Sequence, residues 1–237
     1  MNEVDVLKAL RGITIGIALL TALTACGSSN GGSGSGGSGG SGGGGSDTSG
    51  GNTTGTVDGL PEAPITFTSD QISTALMSKP GAPEGWTGSD PKIDLDNGLM
   101  NCQQDTKAAC GRFVALGTSH ISPDKFPAYE SRSPEVKFRI YSFRTSDDAK
   151  AALKGLAAEE RRSATANGAE PKPLKLTLNA DETDAFTGDR TRIMMRVGGL
   201  LVAVESQDLR EEQPYGDLAE LQLDRIKKTA EGKNPDA

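Results

Sequence analysis

The sequence predicts an α+β fold: a single domain on a twisted antiparallel sheet of about five to six strands, with helices packed on one face. Three observations predict it. Two apolar-alternating segments, residues 191–197 and 200–206, are joined by Gly198-Gly199, a two-residue hairpin signal. A third, residues 135–144, runs directly into a helix start at Thr145-Ser-Asp-Asp148. A later stretch opened by Pro214 carries Tyr215, Leu218, Ala219, Leu223, Ile226 and Ala230 along one helical stripe. Hairpin-linked strands interrupted by helices, without repeated βαβ units, read as α+β.

The elements follow in order. Thr68-Ser-Asp-Gln71 fits a capping box before Ile72, Ala75 and Leu76, so a short helix starts there, and Pro80-Gly81 stops it. Pro83-Glu-Gly-Trp86 reads as an extended or turn segment with Trp86 partly buried. Residues 112–119 form a strand. In residues 135–144, Val136, Phe138 and Ile140 face one way and Lys137 and Arg139 the other; the alternation weakens at Tyr141 and Phe143, as at a bulge or a buried end. The helix capped by Thr145 buries Ala149, Ala152, Leu153, Leu156 and Ala157, and Asn167-Gly168 ends it. Leu174, Leu176 and Leu178 alternate with Lys175 and Thr177, another half-buried strand. If Gly198-Gly199 is the turn, Val197 opposes Leu200, Met195 opposes Val202, and Ile193 opposes Val204, all on the core face. Arg196, Met194 and Arg192 then oppose Leu201, Ala203 and Glu205 on the other. A slip of one residue would bury the arginines, which fixes the register.

Ahead of these elements the composition changes. Lys8 and Arg11 precede the apolar run from Gly12 to Leu23, the layout of a secretory signal. The run ends in Leu23-Thr24-Ala25-Cys26, which resembles the lipobox of bacterial lipoproteins; that resemblance implies a diacylglyceryl group on Cys26 and cleavage just before it. Of the 31 glycines, 15 fall between Gly27 and Val57. A Gly/Ser coil of that length spans roughly 30 Å on average and about 105 Å fully extended. It is a tether, without the strand and Gly-Lys-Ser/Thr of a phosphate loop. The expected organisation is therefore a signal peptide at 1–25, a lipidated cysteine and tether at 26–61, and a globular domain at 62–237. A domain of that length buries about 70% of its unfolded surface and is stable alone.

The formal net charge of -7 argues against a general nucleic-acid binder. No apolar stretch after the signal is long enough to span a bilayer, so the membrane is a partner only through lipid on Cys26. With Cys26 lipidated, Cys102 and Cys110 are left as a pair in an exported chain, where disulfides persist. Metal binding would need further ligands nearby, and their spacing is not a redox CxxC. No cofactor is implied.

Taken together these segments resemble a family. The lipobox and tether lead into Ile72-Ser-Thr-Ala-Leu76 and Pro83-Glu-Gly-Trp86, then a cysteine pair. Val136-Lys-Phe-Arg-Ile-Tyr-Ser-Phe143 and Ser146-Asp-Asp-Ala-Lys-Ala-Ala-Leu153 follow, and later Arg196-Val-Gly-Gly-Leu-Leu-Val202. Over about residues 64–230 the chain resembles the sensor-domain lipoproteins of actinobacteria, similar to the extracellular domain of PknH-type receptor serine/threonine kinases. The resemblance implies a helix-backed antiparallel sheet, a ligand-binding cleft and no catalysis. The kinase sensors carry two disulfides, whereas this chain makes one after lipidation.

Candidate chemistry is sparse. Asp94-Leu-Asp-Asn-Gly98 resembles the opening of a Ca²⁺ loop with Asp105 at the twelfth position, one carbon shorter than the usual bidentate glutamate; the same residues also make an ordinary acidic turn. His120, the one histidine, ends a strand with no local nucleophile or orienting acid. Asp181, Glu182, Asp184 and Asp189 read as a solvated loop around Phe186. Lys137, Arg139, Lys175, Arg192 and Arg196 occupy the solvent side of three strands. If those strands adjoin, they form a positive patch suited to an anionic envelope polymer or a small anionic ligand. Three functional expectations follow: a non-enzymatic sensor or ligand-binding lipoprotein, an accessory lipoprotein contacting another envelope protein, and an envelope hydrolase using His120 or clustered carboxylates.

Overall fold

The computed structural model describes residues 64–125, 134–207 and 215–237. The signal segment, Cys26, the tether and Pro214 lie outside the described residues. Four helices and eight strands follow in the order α1 (Ser69–Ala75), β1 (Trp86–Gly88), β2 (Lys92–Ile93), α2 (Gly98–Thr106), β3 (Phe113–Pro123), β4 (Glu135–Phe143), α3 (Ser146–Ala166), β5 (Lys172–Pro173), β6 (Glu182–Thr187), β7 (Thr191–Val197), β8 (Leu200–Gln207) and α4 (Tyr215–Ala230). All strands join one antiparallel sheet in the order β1-β3-β4-β8-β7-β6-β5, with β2 also paired to β3. The fold class is the expected α+β. The additional strands are mostly pairs of two or three residues, too short to carry an alternation signal.

The predicted caps form. Thr68 and Gln71 make the reciprocal capping box of α1, and the Thr145 hydroxyl accepts from the Asp148 backbone N–H at the start of α3. The hairpin register is as the sequence dictates, with Val197 opposite Leu200 and Ile193 opposite Val204. Both turn glycines are needed. Gly198 has φ +57°, and a Cβ on Gly199 would sit 2.5 Å from the Phe143 carbonyl oxygen. The Gly199 N–H donates to the Ile65 carbonyl at 2.8 Å, so the first described residues lie beside this turn.

Helices cover both faces of the sheet, which corrects the expectation of one. On one face, Val136, Phe138, Ile140, Ile193, Met195, Val202 and Val204 form a core with α1 and α4. On the other, Tyr141, Phe143, Met194, Leu201 and Ala203 pack under α2 and α3, beside Ala152, Leu153 and Leu156. Tyr141 and Phe143 therefore mark a buried end of β4; the register shift falls in β3, between Phe113 and Ala115. An antiparallel sheet often leaves one face in water, and the mixed polarity of this second face resembled such a surface.

Two further expectations are corrected. Only Lys172–Pro173 pairs as β5; Leu174, Leu176 and Leu178 follow as an irregular segment packed against the α4-side core. Residues 182–187, expected as a solvated loop, form β6 with Phe186 fully buried.

α1 has seven residues, and α4 completes its C-terminus. The last carbonyls of a helix lack internal partners. Buried Arg225 donates through Nη2 to the Thr74 and Leu76 carbonyls at 3.1 and 2.8 Å, and through Nε to the Ala75 carbonyl at 3.2 Å. Gln222 donates to the Ala75 carbonyl at 2.8 Å and accepts from the Met77 N–H at 3.0 Å.

Candidate functional site

The five basic side chains expected on an open face do not form one. Arg139, Arg192 and Arg196 do share a sheet face with Lys137, but α2 and α3 lie over most of it. Arg139 is ringed by Asp105 of α2 at 3.3 Å, Glu160 of α3 at 3.1 Å and Glu205 of β8 at 3.4 Å. Arg192, 3% exposed, bonds Glu160 at 2.6 Å and Asp189 at 2.8 Å. Arg196 pairs with Asp181 at 2.9 Å and Glu182 at 3.1 Å. Lys137 reaches Glu135 at 3.0 Å, while Lys175 is exposed on the segment after β5, away from the others in the sheet order. A guanidinium with two or three carboxylates on it has no unmet demand for an external anion.

Electrostatics agree with a structural role. Burial alone would lower the Arg192 guanidinium, but hydrogen bonds to Asp189 and Glu160 carry it above its ordinary value. The same bond from Arg192 is the main cause holding Asp189 below the usual carboxylate range, against burial. Burial pushes the Tyr141 phenol up; Arg139 opposes the rise, and Asp105 adds to it. Phe186 lies between two cations, with the guanidinium carbons of Arg161 and Arg192 at 4.6 and 5.6 Å from its ring centroid. The acids of the supposed loop thus have partners on the sheet and on α3, Asp184 with Arg161 among them.

Cys102 and Cys110 form a disulfide that links α2 to the segment before β3. Residues 94–98 do not assemble a cation site. Asp94 accepts from the Asn97 N–H at 2.9 Å and from the Asn101 side chain, turning the chain into α2. Asp105 is held by Arg139 and by the Tyr141 hydroxyl. Among the described residues no three His, Cys, Asp or Glu side chains could share a metal. His120 is exposed on β3, and its backbone N–H donates to the Ser89 hydroxyl at 3.0 Å. Among the described residues its ring holds no serine or carboxylate in a triad arrangement.

The feature the sequence did not disclose is a groove of about 960 Å³ along α4. Leu218, Ala219, Leu223 and Ile226 anchor the helix on the sheet. Its next flank turns Asp217, Glu220, Leu221, Asp224 and Lys227 toward Ile65, Asp181 and Val197 across the groove. Apolar side chains line it together with a clear excess of carboxylates. Periodicity gave the helix and its buried stripe; the opposing wall comes from the N-terminal segment and the β7 end, which only the tertiary fold brings there.

The fold and groove define an α+β domain whose sheet is helix-covered on both sides, with a concave surface of ligand size along α4. No protein-family model matches the chain, and no curated protein does. In three dimensions the domain is similar to the extracellular domain of PknH from Mycobacterium tuberculosis, with a TM-score of 0.47 and 12% sequence identity, covering 70% of this chain and 98% of that one. The likeness is distant.

Proposed function

We propose that this chain is an extracytoplasmic lipoprotein, held at the cell membrane by lipid on Cys26, whose domain is a non-enzymatic sensor or ligand-binding module. The groove along α4 carries the binding reading. At about 960 Å³ it lies at the upper end of the roughly 300–1,000 Å³ of small-molecule sites. Its apolar lining and acidic rim suit an elongated, partly apolar molecule bearing positive charge. The anchor rests on Leu23-Thr24-Ala25-Cys26 and the tether that follows, and the Cys102–Cys110 disulfide suits an oxidising compartment.

Two measurements test the two halves. Labelled palmitate should enter the wild-type chain and not Cys26→Ser; equal labelling of both, or of neither, removes the anchor. Native mass spectrometry of protein taken from its own membrane should find a co-purifying species that Ala230→Trp, which narrows the groove, displaces. Retention of that species at unchanged occupancy would place binding elsewhere. One observation favours the accessory-protein reading: among the described residues, the large apolar side chains that stay exposed, Leu95, Leu99 and Met100, cluster within six residues at the start of α2.

A further inference from the structure

α2 and α3 leave one corner of their sheet face bare, where β2, β3 and β4 meet. Lys92 lies opposite Thr118, Thr118 opposite Arg139, and His120 opposite Lys137. Residues directly opposed across strands share a face, so these side chains project together. With Ser89 and Asp90 they line a cavity of about 170 Å³, and Lys92, His120 and Lys137 are exposed.

The donors there outnumber the acceptors. Among the described residues Lys92 makes no ion pair. Lys137 has one ion pair, with Glu135, and a 3.4 Å hydrogen bond to Gln207, and Asp90 is the one acid lining the cavity. The Ser89 oxygen already accepts from the His120 backbone N–H, which leaves its O–H to donate. Arg139 closes the inner wall with its terminal nitrogens committed to Asp105, Glu160 and Glu205. A planar carboxylate is best met by a free guanidinium fork, and here the fork is taken. Ammonium groups and hydroxyls converging from separate strands suit a tetrahedral anion instead. The cavity is well below the size of a whole-ligand site, so it accommodates one functional group.

We propose that this corner binds a single phosphate group, as a monoester or a diester. The site is independent of the α4 groove and of the lipid anchor. The phosphate could belong to a lipid headgroup or to a soluble phosphate compound, and the two are separable with the chain carrying Cys26→Ser, which removes acyl chains as a route to vesicles. At constant ionic strength, inorganic phosphate should shift the Ser89, Thr118 and His120 amide resonances saturably. Lys92→Gln/Lys137→Gln should weaken that binding by at least about tenfold, since one charge-assisted hydrogen bond alone is worth that much and two are removed. Thr118→Val, which keeps both charges, should weaken it less, and unchanged α4 resonances would certify the fold of each variant. Vesicles containing phosphatidylglycerol that bind, and are displaced by inorganic phosphate, assign the headgroup. Binding of phosphoserine without vesicle binding assigns a soluble compound. No saturable shift at constant ionic strength, or equal affinity in the double variant, overturns the site.

Discussion

Arg192 and Arg196 stand four residues apart on one strand face, yet their removal should have unequal consequences. Arg192 is 3% exposed and faces Glu160 and Asp189. Replacing it with leucine removes the nearest counter-charge of two partly buried carboxylates, leaving Glu160 with Arg139 and Asp189 with Arg190 at 3.8 Å, which costs about 2–3 kcal/mol. Asp181, a partner of Arg196, is 48% exposed, and solvent screens that pair. Arg196→Gln should therefore cost less than about 1 kcal/mol. Urea denaturation midpoints of the two variants check the ranking, and equal shifts would contradict it. Asp189 adds a pH signature. Its folded-state pKa is depressed, chiefly by Arg192, so its stabilisation is complete above the unfolded value near pH 4. It is lost as the pH falls from there through the lower folded value. Asp189→Asn should flatten the loss of stability below about pH 4; an unchanged acid limb would remove Asp189 from the account.

At the scale of elements, α2 and α3 cross where Gly155 faces the end of α2. A Cβ on Gly155 would lie 1.8 Å from the Thr106 carbonyl oxygen. Alanine improves helix propensity by about 1 kcal/mol, but the neighbour is backbone and overpacking costs about 1–3 kcal/mol. Gly155→Ala should therefore lower the thermal midpoint; a rise would mean the crossing has slack. The adjacent disulfide closes a nine-residue loop, and Cys102→Ala/Cys110→Ala should cost about 2.5 kcal/mol in chemical denaturation. Neither α2 nor this crossing is legible in the sequence. α2 has a weakly amphipathic composition, and its N-terminal turn is built by Asp94 and Asn97, residues equally at home in an acidic loop. By contrast α1, α3, β4 and the β7–β8 hairpin could be read, because capping side chains and apolar alternation are local signals. The second covered face was hidden for the opposite reason. Arg139, Arg192 and Arg196 look solvent-facing in sequence, and only the carboxylates of α2, α3 and the neighbouring strands, brought in by tertiary packing, explain their burial. The candidate groove stayed hidden in the same way: α4 was legible, but its opposing wall lies elsewhere along the chain.

For the whole molecule, the proposed anchor and the net charge act in opposite directions, and their magnitudes decide which prevails. The segment ahead of Cys26 holds Glu3, Asp5, Lys8 and Arg11, two acids and two bases, so cleavage leaves the formal charge at -7. An anionic membrane surface attracts a basic segment by about 1 kcal/mol per Lys or Arg and repels an acidic body. Each buried methylene contributes about 0.8 kcal/mol, so two acyl chains outweigh any such repulsion several-fold. Raising the salt from about 0.1 M to 1 M shortens the screening length from about 10 Å to 3 Å, which weakens charge-held attachment and leaves acyl insertion intact. A high-salt wash should therefore leave the wild-type chain in the membrane fraction, while detergent releases it and Cys26→Ser is already soluble in low salt. Release of the wild type by salt alone would mean that charge or a protein partner holds it at the membrane, and the role assigned to Cys26 would have to be given up.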